Sequence, residues 1–414
     1  MDSPRNDVGT ARIQTKRMSE KMETKNFTKT ERSGKIKKRN KGDRKMEEFI
    51  KWMECLEDTR QQSKVRYTVQ EIVLIVFCST LSRVEDWEDR EVWAEYNLDY
   101  LREYLPYENG VPSHDTMQRV MGMLSTECFQ QAYNKWIAEF EAGKGINLKK
   151  IICIDGKTMK GNKQNDSKPN HIVTAWSKDG GFSLGQKAVE EKSNEITAIP
   201  KLLDTLNIKG SIITIDAMGT QIAIAQKIRE KRCHYVLAVK ENQKSLYDDI
   251  SLYFEDKKHI AKIKEKGNYH KTIEKNHGTA DVREYYQTTS IGWLTGKEKW
   301  RGIKSIGMVV RTFKGVTERR YYISSLPCDV EQFANAVRGH WSVEAMHWQL
   351  DVTFREDANH TLDKTAAANM NIIRKWCLSM LKHVPFYKPT LSMRKKMFII
   401  SLNPAKYLDY VMSL

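Results

Sequence analysis

Asp155, Asp216 and Glu344 are the residues of this 414-residue chain whose types and settings could do chemistry. Asp155 follows the apolar run KIICI, and Asp216 follows SIITI, so each stands where a buried strand gives way to a turn. Glu344 lies in EQFANAVRGHWSVEAMHWQLDVTFRED, a stretch with helical character. At about 3.6 residues per turn, Val337, His340, Trp341, Glu344, Trp348 and Asp351 share one face, which sets this carboxylate among aromatic side chains. A carboxylate held there needs a partner, a hydrogen bond or a metal. A Glu satisfied within a His- and Trp-rich packing face is the plain alternative. Three carboxylates together point further. Hard oxygen donors suit Mg²⁺, which keeps several waters and takes phosphate oxygens as additional ligands. Two such ions about 3.5–4 Å apart activate a water or a 3′-hydroxyl and stabilise the leaving oxygen of an in-line phosphoryl displacement. In that arrangement Asp155 bridges both ions, while Asp216 and Glu344 hold one each.

Lys157, Lys160 and Lys240 lie close in sequence to the two strand ends, where they could neutralise phosphates, with Asn242 and Gln243 adding hydrogen bonds. Ordinary surface charge is the alternative for each lysine. Other metal chemistries fit less well. Glu344-x-x-His347 and Glu274-x-x-His277 each give half of a di-iron signature, but the second runs into Gly278 within β-like sequence and lacks the helix that chemistry requires. There is no H-E-x-x-H, no paired Cys at zinc spacing, no phosphate-binding G-x-x-x-x-G-K-[ST], no G-x-G-x-x-G and no G-x-S-x-G.

The elements that must position these groups alternate in period. Before residue 145 the reading is helical: Met46–Cys55, Val69–Leu81 (apolar nearly all round, hence buried), Val92–Tyr104, Met117–Met123 capped by Ser113 or Asp115, and Phe129–Phe140. From Lys150 the order becomes strand, a hairpin of His171–Trp176 and Phe182–Val189, helix Ile196–Leu206, strand Ser211–Ile215, helix Thr220–Glu230, strand Tyr235–Val239. That order fits an α/β fold with an RNase H-like mixed five-stranded core, and in open α/β sheets sites gather beyond strand carboxyl ends. Residues from about 244 to 328 read as a β-rich insertion, after which a long helix runs from Val330–Phe333 past Leu350 and another covers Ala366–Leu381. The expected organisation is a basic flexible arm (1–45), a helical N-terminal domain (46–145), the catalytic domain (146–385) and a C-terminal tail (386–414).

Composition bounds the partners. With 69 Lys and Arg against 53 Asp and Glu the chain carries +16, and residues 1–45 hold 15 basic and 6 acidic side chains. An arm of that kind has affinity for polyanions, a solubilising tail being the alternative. Forty per cent apolar residues, with ten Trp and seventeen Tyr, exclude a wholly disordered chain. The longest apolar run, near Ile72–Phe77, is far short of a membrane span, which needs about 18 residues or more. The charged N-terminus lacks the apolar segment of a secretion signal. Seven scattered Cys read as reduced thiols of a cytoplasmic protein.

Several long motifs occur in order: IICIDGKTMKG (151–161), VEEKSNEITAIPKLL (189–203), SIITIDAMGTQ (211–221), YVLAVKENQ (235–243) and RGHWSVEAMHWQLDVTFRED (338–357). Together they resemble the H-repeat-associated, ISAs-type insertion-sequence transposases of the DDE superfamily, and VPSHDTMQRV (111–120) resembles the associated N-terminal domain. The resemblance covers residues 45 to 385. It implies an RNase H-like domain with the DDE triad at Asp155, Asp216 and Glu344. It also implies Mg²⁺-dependent cleavage at element ends (Mn²⁺ substituting), strand transfer into target DNA, and a β-rich insertion before the catalytic Glu. DNA is the implied partner, as terminal inverted repeats and target, with a homodimer or larger assembly at synapsis. His340 and Trp341 stand where the wider insertion-sequence-4 group has Arg-Trp, and they join Lys157, Lys160, Lys240, Asn242 and Gln243 as expected DNA contacts. Asp351 stands where that group has Lys, and Glu344-Ala-Met-His-Trp is one residue shorter than the Glu-Asn-x-Leu-His-Trp of many nearer members. Two alternatives share these residues: a catalytically silent DNA-binding relative, and an RNase H-like nuclease without strand transfer.

Overall fold

The computed structural model describes residues 41–144, 150–163, 168–190, 194–276 and 278–412. Most of the basic arm, residues 1–40, lies outside the described residues. Its last residues, 41–45, belong to the first helix.

Among the described residues six α-helices precede the sheet: α1 (Lys41–Trp52), α2 (Val69–Leu81), α3 (Trp87–Tyr96), α4 (Leu98–Leu101), α5 (His114–Met123) and α6 (Thr126–Lys144). Thr68 and Glu71 open α2 with a reciprocal capping box, Thr68 Oγ1 accepting from the Glu71 N–H at 3.1 Å and Glu71 Oε2 from the Thr68 N–H at 2.8 Å. From Val69 to Leu81 all but one residue of α2 is buried, as its all-round apolar pattern requires. Ser113 caps α5.

The sheet has nine strands in the order β3-β2-β1-β4-β5-β9-β8-β7-β6 among the described residues. β1 (Ile151–Thr158) pairs antiparallel with β2 (His171–Ser177), which pairs with β3 (Phe182–Ala188). On its other side β1 runs parallel to β4 (Ile212–Ile215), and β4 parallel to β5 (His234–Val239), the crossovers being α7 (Glu195–Thr205) and α8 (Ile222–Glu230). These five strands are the expected RNase H-like core.

The stretch after β5 differs from the expected β-rich insertion in two ways. It begins with two helices, α9 (Lys244–Glu255) and α10 (Lys257–Glu265). Its four strands, β6 (Tyr269–Asn276), β7 (Thr279–Thr288), β8 (Ser305–Phe313) and β9 (Val316–Ser324), then continue the core sheet, because β9 pairs antiparallel with β5 from Val236↔Ser324 to Val239↔Tyr321. The edge of β5 would otherwise present unpaired backbone groups, and β9 satisfies them.

Helix α11 (Val330–Val352) lies across one face of this sheet, followed by α12 (Lys364–His383). Where α11 crosses β1 the backbones come close: the Cys153 thiol reaches the Gly339 carbonyl at 3.2 Å. The same closeness holds over β8, where a Cβ on Gly307 would fall 2.3 Å from the Phe333 ring. Helix α12 is the hub of the core on this face. Trp376 is fully buried among Phe49, Phe77 and Tyr133, its ring stacked on Tyr133 at 5.3 Å. The expected C-terminal tail is two helices, α13 (Met393–Leu402) and α14 (Pro404–Met412), and Leu408 and Val411 of α14 are buried in the same core. A second apolar core fills the opposite face between the sheet and α7, α8 and α9. No helix of the described residues is long and apolar enough to cross a membrane.

Candidate active site

Asp155 and Asp216 are neighbours because two strands run parallel and in register. Ile154 of β1 is the partner of Ile215 of β4, and each Asp is the next residue along its strand. Adjacent strands lie about 4.8 Å apart, so two carboxylates stand side by side at the carboxyl ends of fully buried apolar runs. The turn after Asp216 is braced from all sides. The Gly219 N–H donates to Asp216 Oδ1 at 3.1 Å, and Thr220 Oγ1 bridges the carbonyls of Asp216 (3.0 Å) and Ala238 (2.6 Å). Asn242 Nδ2 donates to the Ala217 carbonyl at 2.7 Å and Gln243 Nε2 to the Thr220 carbonyl at 3.0 Å. Both amides expected to contact DNA thus each give a donor to the Asp216 loop.

Glu344 comes from α11 and faces the same cleft, which has a volume of about 1160 Å³. Its register on the sheet is set one turn earlier, where His340 Nδ1 meets Thr214 Oγ1 at 2.9 Å. Glu344 does not sit within a buried aromatic face. The buried stripe of α11 is Phe333, Ala336, Gly339, Val343, Met346 and Leu350, while Trp341 and Trp348 are 41% and 57% exposed. Trp341 forms part of the cleft wall, packed between the guanidinium groups of Arg311 and Arg338 at 5.6 and 5.4 Å.

Burial raises the carboxyl pKa of Asp216, and the charges of Asp155 and Glu195 add to it, against the Gly219 and Met218 N–H groups. Burial raises Glu344 as well, with the charges of Asp155 and Asp216 in the same direction and Arg320 opposing. The three groups therefore repel one another across the cleft, the electrostatic condition that a cation relieves. Their all-oxygen donor set suits Mg²⁺ or Mn²⁺. Among the described residues no three His, Cys, Asp or Glu side chains are drawn together as a finished metal cage; Glu344 faces the two aspartates without closing on them. His347 Nδ1 lies 3.5 Å from Asp155 Oδ2, and its Nε2 is buried with no hydrogen-bond partner. Burial lowers the pKa of His340, although Asp155 and Asp216 pull the other way.

The lysines divide. Lys240 is exposed on the cleft wall. Lys160 is exposed outside it, 3.9 Å from Asp357 Oδ2. Lys157 differs from its expected role as a phosphate contact: its ammonium is enclosed by Asp351 Oδ1 (2.7 Å), Glu356 Oε2 (3.0 Å) and Asp357 Oδ1 (3.0 Å), with 11% of the side chain exposed. Burial works against that charge, but Glu356, Asp351 and Asp357 hold its pKa above the usual lysine range.

Two groups escape the sequence reading. One is an arginine wall on the added strands: Arg283, Arg311, Arg319 and Arg320 line the cleft opposite the carboxylates, and Arg338 joins them from α11. Asp281 holds Arg311 through two hydrogen bonds of 3.0 and 2.8 Å and Arg283 through one of 2.7 Å. Glu318 holds Arg320, and among the described residues Arg319 and Lys240 have no ion-pair partner. Their signal was the alternation of charge along β7 to β9, legible only once the strands were known to reach the cleft. The other is the pair His171 Nε2–Glu195 Oε1 at 2.6 Å. It lies directly under Gly156, where a Cβ would fall 2.2 Å from Glu195 Oε1 and 2.5 Å from His171 Nε2, so a side chain there would displace this pair.

Residues 146–380 match the family described as Transposase DDE domain, and residues 50–137 match the family described as DDE_Tnp_1-associated. Over 381 residues the chain is 33% identical to "Putative transposase YncI" of Escherichia coli O157:H7, covering 89% of this chain and 95% of that one. It is 34% identical to "H repeat-associated putative transposase YhhI" of Escherichia coli strain K12, covering 85% and 94%. A solved piggyBac transposase synaptic complex with hairpin DNA aligns over 88% of this chain and 78% of that one, with 12% identity and a TM-score of 0.39.

Proposed function

This chain belongs to the transposase DDE domain family, and from that premise we propose that it cuts DNA at the ends of an insertion sequence and joins those ends to target DNA. One observation carries the reading: Asp155 and Asp216 each follow the last residue pair of the parallel strands β1 and β4, Ile154 and Ile215, and Glu344 of α11 opens onto the same cleft. These three carboxylates would hold Mg²⁺, or Mn²⁺ in its place. A bound pair of such ions supplies an activated water or 3′-hydroxyl and a stabilised leaving oxygen.

The rest of the work falls to the chain's own groups. The hydrogen bonds around the Asp216 loop keep its carboxylate from turning away. The His340–Thr214 contact fixes the rotation of α11, and with it the direction of Glu344. Arg319, Arg320 and Lys240 receive the phosphodiester backbone on the opposite wall, and Trp341 offers an aromatic face at its rim. Lys160, outside the cleft, meets a phosphate farther along the duplex. The protein binds terminal inverted repeats and target DNA as a homodimer or larger synaptic assembly, in the cytoplasm at the nucleoid.

Asp216→Asn tests the assignment. With Mg²⁺ and a duplex bearing its element's own inverted repeats, wild-type protein nicks at the repeat ends and forms joined products. The variant loses at least about a thousandfold in rate and keeps its DNA affinity and melting temperature. Cleavage by Asp216→Asn at the wild-type rate would reject the triad, and hydrolysis without joined products would indicate a nuclease.

A further inference from the structure

Lys157 shares a strand face with Asp155, two residues on, yet its ammonium turns from the cleft into a cluster of acids. Asp351 belongs to the same helix as Glu344, about two turns later. Glu356 and Asp357 come from the turn after that helix, where Arg355 takes the left-handed conformation (φ 48°) and redirects the chain inward. Glu356 is fully buried, and its other oxygen accepts from Asn371 Nδ2 at 2.8 Å and lies 3.4 Å from the Arg374 guanidinium, both on α12. One lysine thus joins the strand of Asp155 to the helix of Glu344 and, through Glu356, to the core helix α12.

Glu344 lies between two fastenings. The first, His340 to Thr214, is one turn before it. The second, Asp351 to Lys157, is two turns after it. We infer that Lys157 is a positioning residue: it pins the C-terminal half of α11 to β1 and so holds Glu344 at its working separation from Asp155 and Asp216. Without the ammonium, three carboxylates face the Arg374 guanidinium, which touches Glu356, and the exposed Lys160 ammonium, 3.9 Å from Asp357; neither reaches Asp351. Their repulsion falls on Asp351, the member at the solvent edge and the one on α11. The cluster then drives the end of the helix off the strand instead of holding it there. This inference rests on the reading of the three cleft carboxylates as metal ligands.

The test is a Mn²⁺ titration of the DNA-free protein followed by electron paramagnetic resonance, alongside turnover and DNA affinity measured in Ca²⁺. Lys157→Met is expected to weaken Mn²⁺ binding at least about tenfold and to slow cleavage about a hundredfold, the scale of a misplacement of about 1 Å. DNA affinity should stay within about threefold. Lys157→Arg, which keeps a cation with several donors, should stay close to wild type in all three. If Lys157→Met fails to fold, Asp351→Ala cuts the same tie from the helix side, leaves Lys157 with Glu356 and Asp357, and carries the same expectation. Wild-type Mn²⁺ binding by these variants overturns the inference, as does a loss of DNA affinity with Mn²⁺ binding intact. Asp216→Asn tells the two failures apart: if it loses Mn²⁺ while Lys157→Met keeps it, only the positioning role falls, and if it binds Mn²⁺ like wild type, the ligand reading falls too.

Discussion

Gly161→Ala should damage the enzyme out of proportion to the one methyl it adds. Gly161 sits in the turn Lys160–Asn162 beyond β1, pressed against the turn Glu356–Ala358 that supplies two of Lys157's partners. A Cβ there would lie 2.3 Å from the backbone oxygen of Asn359 and 2.9 Å from that of Asp357. These are main-chain atoms, so no side chain can swing aside. A carbon rests about 3.3–3.6 Å from a carbonyl oxygen, so the two turns must part by about 1 Å. Overpacking of this kind costs about 1–3 kcal/mol. A shift of about 1 Å between the ends of β1 and α11 should slow cleavage about a hundredfold. Urea melts followed by circular dichroism read the first number, and nicking of an end-bearing duplex reads the second. Gly143→Ala is the control: a Cβ there meets nothing within 4 Å, and in helix α6 the change should be neutral or stabilise by about 0.5–1 kcal/mol. A Gly161→Ala protein with wild-type midpoint and rate would show that these turns are not packed together.

The remaining expectations concern charge. Asp281→Ala leaves Arg283 and Arg311 without their shared, 1%-exposed partner and should destabilise the protein by about 3–5 kcal/mol in urea melts, with a smaller loss placing the pair in solvent. Burial lowers the pKa of Lys375 to about 7, while its ammonium donates to Thr174 and Gln186 at 2.7 Å each. Because the unfolded lysine holds its proton up to about pH 10.4, the unfolded chain binds more protons between those values, and stability rises with pH by at most about 1.4 kcal/mol per unit. Lys375→Met should flatten that rise between pH 7 and 9, and an unchanged slope would assign it elsewhere. Deleting residues 1–40, with 12 basic and 5 acidic side chains, should lower the slope of log affinity against log salt by several units, and an identical slope would show that the arm does not touch DNA.

What the sequence disclosed, and what it hid, follows the range of the interactions. The strands of Asp155 and Asp216 were legible because short isoleucine-rich runs, IICI and IITI, lead into the carboxylates, a local signal. The long helix of Glu344 was legible by period, but its orientation was misjudged by the bulk of its residues. Aromatic size drew attention to Trp341 and Trp348, whereas the buried stripe runs through Ala336 and Gly339, whose smallness is what lets the helix approach β1. The four strands after α10 were legible as alternation, but their merger with the core was not. It depends on the pairing of β9 with β5, some 85 residues apart, which no local pattern encodes. Lys157 could be seen as a cation near a strand end, but the acids that claim it lie nearly two hundred positions away.

The placement of charge gives these pieces one logic. The carboxylates gather beyond β1 and β4 and on α11, and most of the guanidinium groups on the added strands, with Arg338 on α11, yet the two sets do not neutralise each other. Arg283 and Arg311 are held by Asp281, Arg338 by Glu274 and Arg320 by Glu318, all from the added strands or beside them. Internal pairing keeps the arginine wall upright and spares the carboxylates from collapsing onto it. Among the described residues, only Arg319 and Lys240 of the basic groups there have no ion-pair partner. The opposite wall stays an excess of negative charge that burial makes more costly, as the raised pKa values of Asp216 and Glu344 record. Such a cleft repels a bare polyanion from one side and attracts it from the other. It becomes uniformly receptive to a phosphodiester only when cations occupy the acidic wall, so on this reading metal and DNA reinforce each other's binding. Measured in the DNA-free protein and again with an end-bearing duplex, Mn²⁺ affinity should rise with the duplex present, and equal affinities would refute the coupling.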